Sequence, residues 1–373
     1  MKKYLKNIYI VCFFVILFQK IDASNGNDSV YYAIEVKYQY GILIPHHPEI
    51  NYFVNDYVQG GEINFIRRRY NTEFWESEYK RLETGIGFWV SSLGRDEIYG
   101  NAFSLFPFVN LHLFHLGKLH VKTRVALGVG YATKPFDRYK NPFNSIFSSH
   151  FNAYIGLGFM IYYPVFDKLL IQSGLSINHL SNGASSKPNH GMNTFAISVG
   201  ARYNITDSKD FVPKKQEIKN YKRKELLTTL SAGKNHPAFY IDRKFWSGSF
   251  TTIHSWYTKN TMSLGVGLDF INFGGAPYAF KNLENTDEIR EFGFKDYFYV
   301  GTTFNLENFF GNTSIYIAPG LYLHYKTNPR QPLYARLGIR QKLYGNFWGH
   351  FGIKANYFVA EFIEFGVGYR IRY

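Results

Sequence analysis

The chain has 373 residues, a formal net charge of +14, 36 phenylalanines, 31 tyrosines, 33 glycines and a single cysteine. That cysteine, Cys12, falls within an expected leader, so the mature chain is expected to have no disulfide, no cysteine-ligated metal and no cysteine nucleophile. No apolar stretch after residue 23 is long enough for a membrane helix, and an exported chain so rich in aromatics and glycine points to a β-barrel.

Lys2, Lys3 and Lys6 form a positive n-region, Ile8 to Phe18 an apolar core, and Ile21-Asp22-Ala23 a cleavage site, so residues 1–23 are predicted to be a signal peptide. The apolar core is shorter than the roughly 20 residues a spanning helix needs. Its removal takes four lysines and Asp22 and leaves a charge of +11. A basic excess suits an anionic partner, and without a nucleic-acid motif the expected partner is a phosphorylated lipid surface. The alternative is that much of the charge lines a lumen and is paired there.

Strands are predicted to begin near Val30, Gly61, Leu82 and Asn101. The next is explicit: Val121, Thr123, Val125, Leu127, Val129 and Tyr131 share one face, with Lys122, Arg124, Ala126, Gly128 and Gly130 opposite. Further starts fall near Phe151, Leu169 and Thr194, then near Lys224 and Phe245. Met262, Leu264, Val266, Leu268 and Phe270 alternate against Ser263, Gly265, Gly267 and Asp269. Strands follow near Asp296, through Ile315, Ile317, Pro319, Leu321 and Leu323, and near Leu333 and Phe347. In the last segment Ile363, Phe365, Val367, Tyr369, Ile371 and Tyr373 oppose Glu364, Gly366, Gly368, Arg370 and Arg372.

The fold expected is all-β, a transmembrane antiparallel up-and-down barrel of about 14–16 strands. The final aromatic strand resembles the insertion signal of bacterial outer-membrane barrels, which implies the barrel-insertion machinery as a partner. Long connections at 41–57, 133–150, 180–193 and 273–291 would lie outside the cell, with short turns at Gly117-Lys118 and Thr258-Lys259-Asn260 inside. The charged connector 206–223 breaks that pattern. We expect residues 24–205 and 224–373 to contribute to one large barrel, in preference to a small barrel followed by a separate β-domain.

After the strand Leu169–Asn178 comes His179-Leu180-Ser181-Asn182-Gly183, then Lys187-Pro188-Asn189-His190-Gly191-Met192-Asn193. His179 and Ser181 are two residues apart on an extended strand, so their side chains leave the same face about 6–7 Å apart and an imidazole can reach a hydroxyl. Both continue the phase of Leu169, Ile171, Leu175 and Ile177, with Gln172, Gly174, Ser176 and Asn178 on the luminal side. Asn193 shares its phase with Phe195, Ile197, Val199, Ala201 and Tyr203 on the returning strand. Three polar groups at a lipid boundary are costly unless mutually bonded. They form either a catalytic set or an interfacial polar girdle.

These residues resemble the PagL-type lipid A 3-O-deacylases, a family of outer-membrane barrels related to acyloxyacyl hydrolases. The match lies in His179-x-Ser181-Asn182, Pro188-Asn189-x-Gly191, the position of Asn193, and Asn141-Pro142-Phe143-Asn144 in an earlier loop. It spans roughly residues 30–204. The resemblance implies an esterase in the outer membrane of a Gram-negative bacterium acting on lipid A within lipopolysaccharide, with Ser181 as nucleophile, His179 as base, and Asn182 or Asn189 for the oxyanion. In place of the family's acidic third member stands Asn193. Residues 224–373 have no counterpart in the short members of the family.

Lys134, Arg138 and Lys187 are candidates for binding lipid A phosphates, whereas Lys122, Arg124, Asp269, Lys354 and Glu364 read as an interior ion-pair network. The twelve histidines show no metal-ligand spacing, His46-His47 falls in a loop, and neither metal nor other cofactor is expected. The leading expectation is an acyl-ester hydrolase. A porin or channel without catalysis and an inactive structural barrel are the alternatives.

Overall fold

The computed structural model describes residues 30–69, 75, 78–79, 82–206, 223–239, 241, 243–280, 293–327, 329, 331–357 and 359–373. The signal segment and nearly all of the connector 206–223 lie outside these residues. None of the described helices is long and apolar enough to cross a membrane, and the fold is built from strands.

In the first unit these are β1 (Val30–Leu43), β2 (Val58–Arg69), β3 (Glu83–Ser92), β4 (Asn101–Leu116), β5 (Leu119–Ala132), β6 (Phe151–Pro164), β7 (Leu169–Ser181) and β8 (Met192–Asn204). The second unit has β9 (Lys224–Asn235), β10 (Phe245–Lys259), β11 (Met262–Phe273), β12 (Phe298–Phe310), β13 (Thr313–Tyr325), β14 (Leu333–Tyr344), β15 (Phe347–Asn356) and β16 (Val359–Arg372). Within each unit, consecutive strands pair antiparallel.

The single large barrel is wrong. β8 returns to β1, pairing Ala201 with Val36 and Ile197 with Tyr40, and β16 returns to β9, pairing Val367 with Leu230. The sixteen strands therefore form two closed eight-stranded barrels. Period-two alternation states which face of a strand is wet, and nothing about which strand closes the ring. Closure removes unpaired edges in each barrel, as a membrane requires.

Eight strands enclose an interior that side chains can fill, and both interiors are filled. In the first, Glu35 is fully buried while Ile34 and Val36 on either side face outward. Arg202 bridges Glu35 and Glu83 at 3.0 Å each, Lys37 meets Glu62 at 2.8 Å, and Lys122 and Arg124 pair with Glu83 and Glu62. Toward β3, β4 and β6 the charges give way to aromatics, with Phe106 stacked on Tyr154 at 4.6 Å and Trp89 tilted against Tyr154 at 5.9 Å. Inside the second barrel Arg336 binds Glu364 at 3.1 Å and also Asp269, Arg370 joins Glu225 to Glu307, and Lys354 pairs with Glu361. The gap beside Arg336 and His350 measures about 10 Å³, room for one water at most. Much of the basic excess is thus luminal and paired with carboxylates.

Candidate active site

The site grows from the register of β7 against β8. His179 stands directly opposite Asn193, and Ser181 opposite Ala153 of β6. His179, Ser181 and Asn193 all lie in the outward phase of these strands, continuous with the exposed Ile171, Leu175, Ile177, Phe195 and Ile197. Ser181 is only 4% exposed, so it is a sheltered hydroxyl at the end of an apolar wall.

Shelter comes from the neighbouring loop. Asn144 is buried; its Oδ1 accepts the N–H groups of Ile146 and Phe147, and its Nδ2 donates to the Lys134 carbonyl at 2.6 Å. The carbonyls of Ser145 and Ile146 then receive the N–H groups of His190 and Gly191. Gly191 sits at φ +78°, and a Cβ there would lie 3.2 Å from His179 Cε1 and 3.3 Å from Ser181 Cβ. Only glycine gives both this backbone turn and that close approach.

His179 Nε2 is 3.0 Å from Ser181 Oγ, and its Nδ1 is 2.7 Å from Asn193 Oδ1. The carboxamide oxygen only accepts, so Nδ1 carries the proton and Nε2 offers its lone pair to the Ser181 hydroxyl. A hydroxyl beside an imidazole in this tautomer can be deprotonated as it attacks an electrophile.

Asn182 and Asn189 form a second layer: the Asn182 N–H donates to Asn189 Oδ1 at 3.2 Å, and Asn182 Nδ2 donates to Ser148 Oγ at 3.0 Å. The basic candidates are not brought together in this way. Lys134 is held by the carbonyl and carboxylate of Asp96. Arg138 is exposed in a turn where the N–H groups of Lys140 and Tyr139 hold the Asp137 carboxyl below its usual range. The Lys187 N–H donates to His236 Nδ1 in the second unit, to which residues 183–187 belong.

His46, legible in the sequence only as a loop residue, joins the site. The segment after β1 is tied to β8 by the Ile44 N–H on the Asn193 carbonyl at 2.8 Å, which brings His46 Nδ1 to 3.3 Å from Asn193 Nδ2. It also gathers donor atoms of His47, Glu49 and His190 within 4.8 Å of one another, a set suited to a divalent cation. The only hint in the sequence is the run Pro45-His46-His47-Pro48; the partners lie more than 140 residues on.

Two family models match the chain: lipid A 3-O-deacylase (PagL) over residues 64–202, and the acyloxyacyl hydrolase C-terminal domain over residues 224–373. The chain belongs to the PagL-type family of outer-membrane deacylases, and its place is the outer membrane of a Gram-negative bacterium. No curated protein matches it significantly. Among solved structures, Neisserial surface protein A is 12% identical over 48% of this chain and 99% of its own, with a TM-score of 0.30. A mutant porin of Rh. blastica is 12% identical over 92% of this chain and 100% of its own, with a TM-score of 0.19.

Proposed function

We propose that this protein is a carboxylic-ester hydrolase that removes an ester-linked acyl chain from lipid A, using Ser181, His179 and Asn193. The family supports the substrate; the hydrogen bonds from His179 to Ser181 and Asn193 carry the mechanism. Ser181 Oγ attacks the acyl carbonyl while His179 Nε2 takes its proton, and His179 returns that proton to the departing sugar hydroxyl. Water, deprotonated by the same imidazole, then releases the fatty acid and restores Ser181. An acyl chain lying along the apolar wall of β7 and β8 would present its ester at the end of that wall, where Ser181 stands.

The oxyanion needs donors. Asn189 accepts with Oδ1 from the Asn182 N–H, so its carboxamide nitrogen is the available donor, and the second Asn182 Nδ2 hydrogen is another. Of the basic residues, Arg138 is the most exposed candidate for a lipid A phosphate. Lys134, already held by Asp96, and Lys187 would contribute less.

Mass spectrometry of lipid A from cells expressing the protein tests this. Wild type should yield species lacking one ester-linked acyl chain, and Ser181→Ala should leave the acylation pattern of cells without the protein. Identical patterns from the two would sink the hydrolase.

A further inference from the structure

Asparagine as the third member of a Ser/His set raises a problem that a carboxylate does not. Either oxygen of a carboxylate accepts, but a carboxamide has an accepting end and a donating end. Were Asn193 turned over, its NH2 would face His179 Nδ1, force the proton onto Nε2, and leave no lone pair for Ser181.

We propose that His46 is a positioning residue that fixes the orientation of the Asn193 carboxamide and, through it, the tautomer of His179. This inference rests on the Ser181/His179 reading. Its starting point is a group with no choice: the His190 carbonyl can only accept, and His46 Nε2 lies 2.9 Å from it. His46 therefore carries its proton on Nε2 and presents a lone pair at Nδ1. That lone pair accepts from Asn193 Nδ2 at 3.3 Å. Asn193 Oδ1 is then turned to His179 Nδ1 at 2.7 Å, and His179 Nε2 to Ser181 Oγ at 3.0 Å.

One contact competes. The Ile44 carbonyl is 3.3 Å from the same His46 Nδ1 and would favour the opposite tautomer, but that would set a lone pair against the His190 carbonyl at the shorter distance. The His190 carbonyl is itself anchored, because the His190 N–H is held by Ser145. Each link runs from an atom that only accepts to an atom that must then donate. The polarity of the chain is fixed from the loop inward to the nucleophile.

The full-length protein in lipid nanodiscs, labelled with 15N-histidine, tests this through two readouts: the His179 tautomer by long-range 1H–15N correlation, and kcat and KM on a synthetic acyl ester. His46→Ala removes the acceptor; we expect His179 to lose its pure Nδ1–H form and kcat to fall about tenfold with KM unchanged, as for other groups that orient a reacting side chain. His46→Gln, whose Oε1 accepts, should recover most of both. In an Asn193→Glu background the amide problem vanishes, so His46→Ala should change kcat less than about twofold.

Loss of kcat that is the same with Asn193 and with Glu at that position would mean that His46 only supports the loop, and would overturn the proposal. So would a His179 tautomer indifferent to residue 46, even in a protein that hydrolyses esters. A protein that hydrolyses nothing but whose His179 tautomer follows residue 46 upholds the positioning and removes the esterase reading instead.

Discussion

The two barrels are built alike and finished differently. Each closes eight antiparallel strands around a buried network of arginines and carboxylates and turns an apolar wall outward. In the second, the outward phase of β16 runs through Phe365, Val367, Tyr369 and Ile371. In the first, the outward phase of β7 breaks from Leu175 and Ile177 into His179 and Ser181 just where a loop folds over it. Side chains occupy both interiors, and the Ser/His pair found among the described residues stands at the outer edge of the first barrel.

The largest test of that comparison concerns the shared part. Arg202 in the first lumen and Arg336 in the second each join two buried carboxylates. Replacing either by Met strips one buried counter-charge from each of two carboxylates, at a cost of up to about 3–5 kcal/mol. Urea unfolding from lipid vesicles should show comparable losses for Arg202→Met and Arg336→Met. Below the unfolding range, ester hydrolysis by Arg336→Met should match wild type, because every hydrogen bond among Ser181, His179, Asn193 and His46 lies in the first unit. An Arg336→Met protein as stable as wild type would show that the second lumen is not a scaffold of the same kind.

A smaller effect separates glycines that are alike in backbone and unlike in surroundings. Gly191 and Gly345 both have positive φ, but a Cβ at Gly345 meets nothing within 4 Å, whereas at Gly191 it would press on His179 and Ser181. Both alanine substitutions pay roughly 1–2 kcal/mol of left-handed strain. Gly191→Ala should in addition displace the imidazole and lower kcat about 100-fold. Gly345→Ala should leave kcat as it was. Equal kcat in the two variants would place the reacting groups elsewhere.

What the sequence disclosed follows the range of each interaction. Alternation is local, so every strand was legible, and so was the outward phase of His179 and Ser181, two residues apart. Ring closure is not local. Whether Phe195 to Tyr203 pair with β1 or with a later strand depends on curvature summed over eight strands, and no residue carries that sum. His46 was hidden for the same reason: 147 residues separate it from Asn193, and only the closing β1–β8 pair brings them together. Gly191 was legible as part of the Pro188-Asn189-x-Gly191 motif, but not its close approach to His179 and Ser181, which depends on the distant loop at 144–147. The luminal pairing of Lys122, Arg124, Asp269, Lys354 and Glu364 was readable as a class, since charges in the luminal phase of a closed barrel must find partners.

The smallest expected effect bears on the residue that departs from the family pattern. On the proposed mechanism Asn193 would orient His179 without stabilising the imidazolium formed as Ser181 attacks, whereas a carboxylate would do both. Asn193→Glu should therefore raise kcat on a synthetic ester by about tenfold, below the full benefit of a charged partner because the longer side chain must fit the space between His179 and His46. A gain would show that the first barrel already holds a working Ser/His pair limited by its orienting group. If Asn193→Glu instead hydrolyses more slowly than wild type while a fluorophosphonate still labels Ser181, the site is shaped around a carboxamide. The acceptor at His46 would then be part of what distinguishes this outer edge from one built around a glutamate.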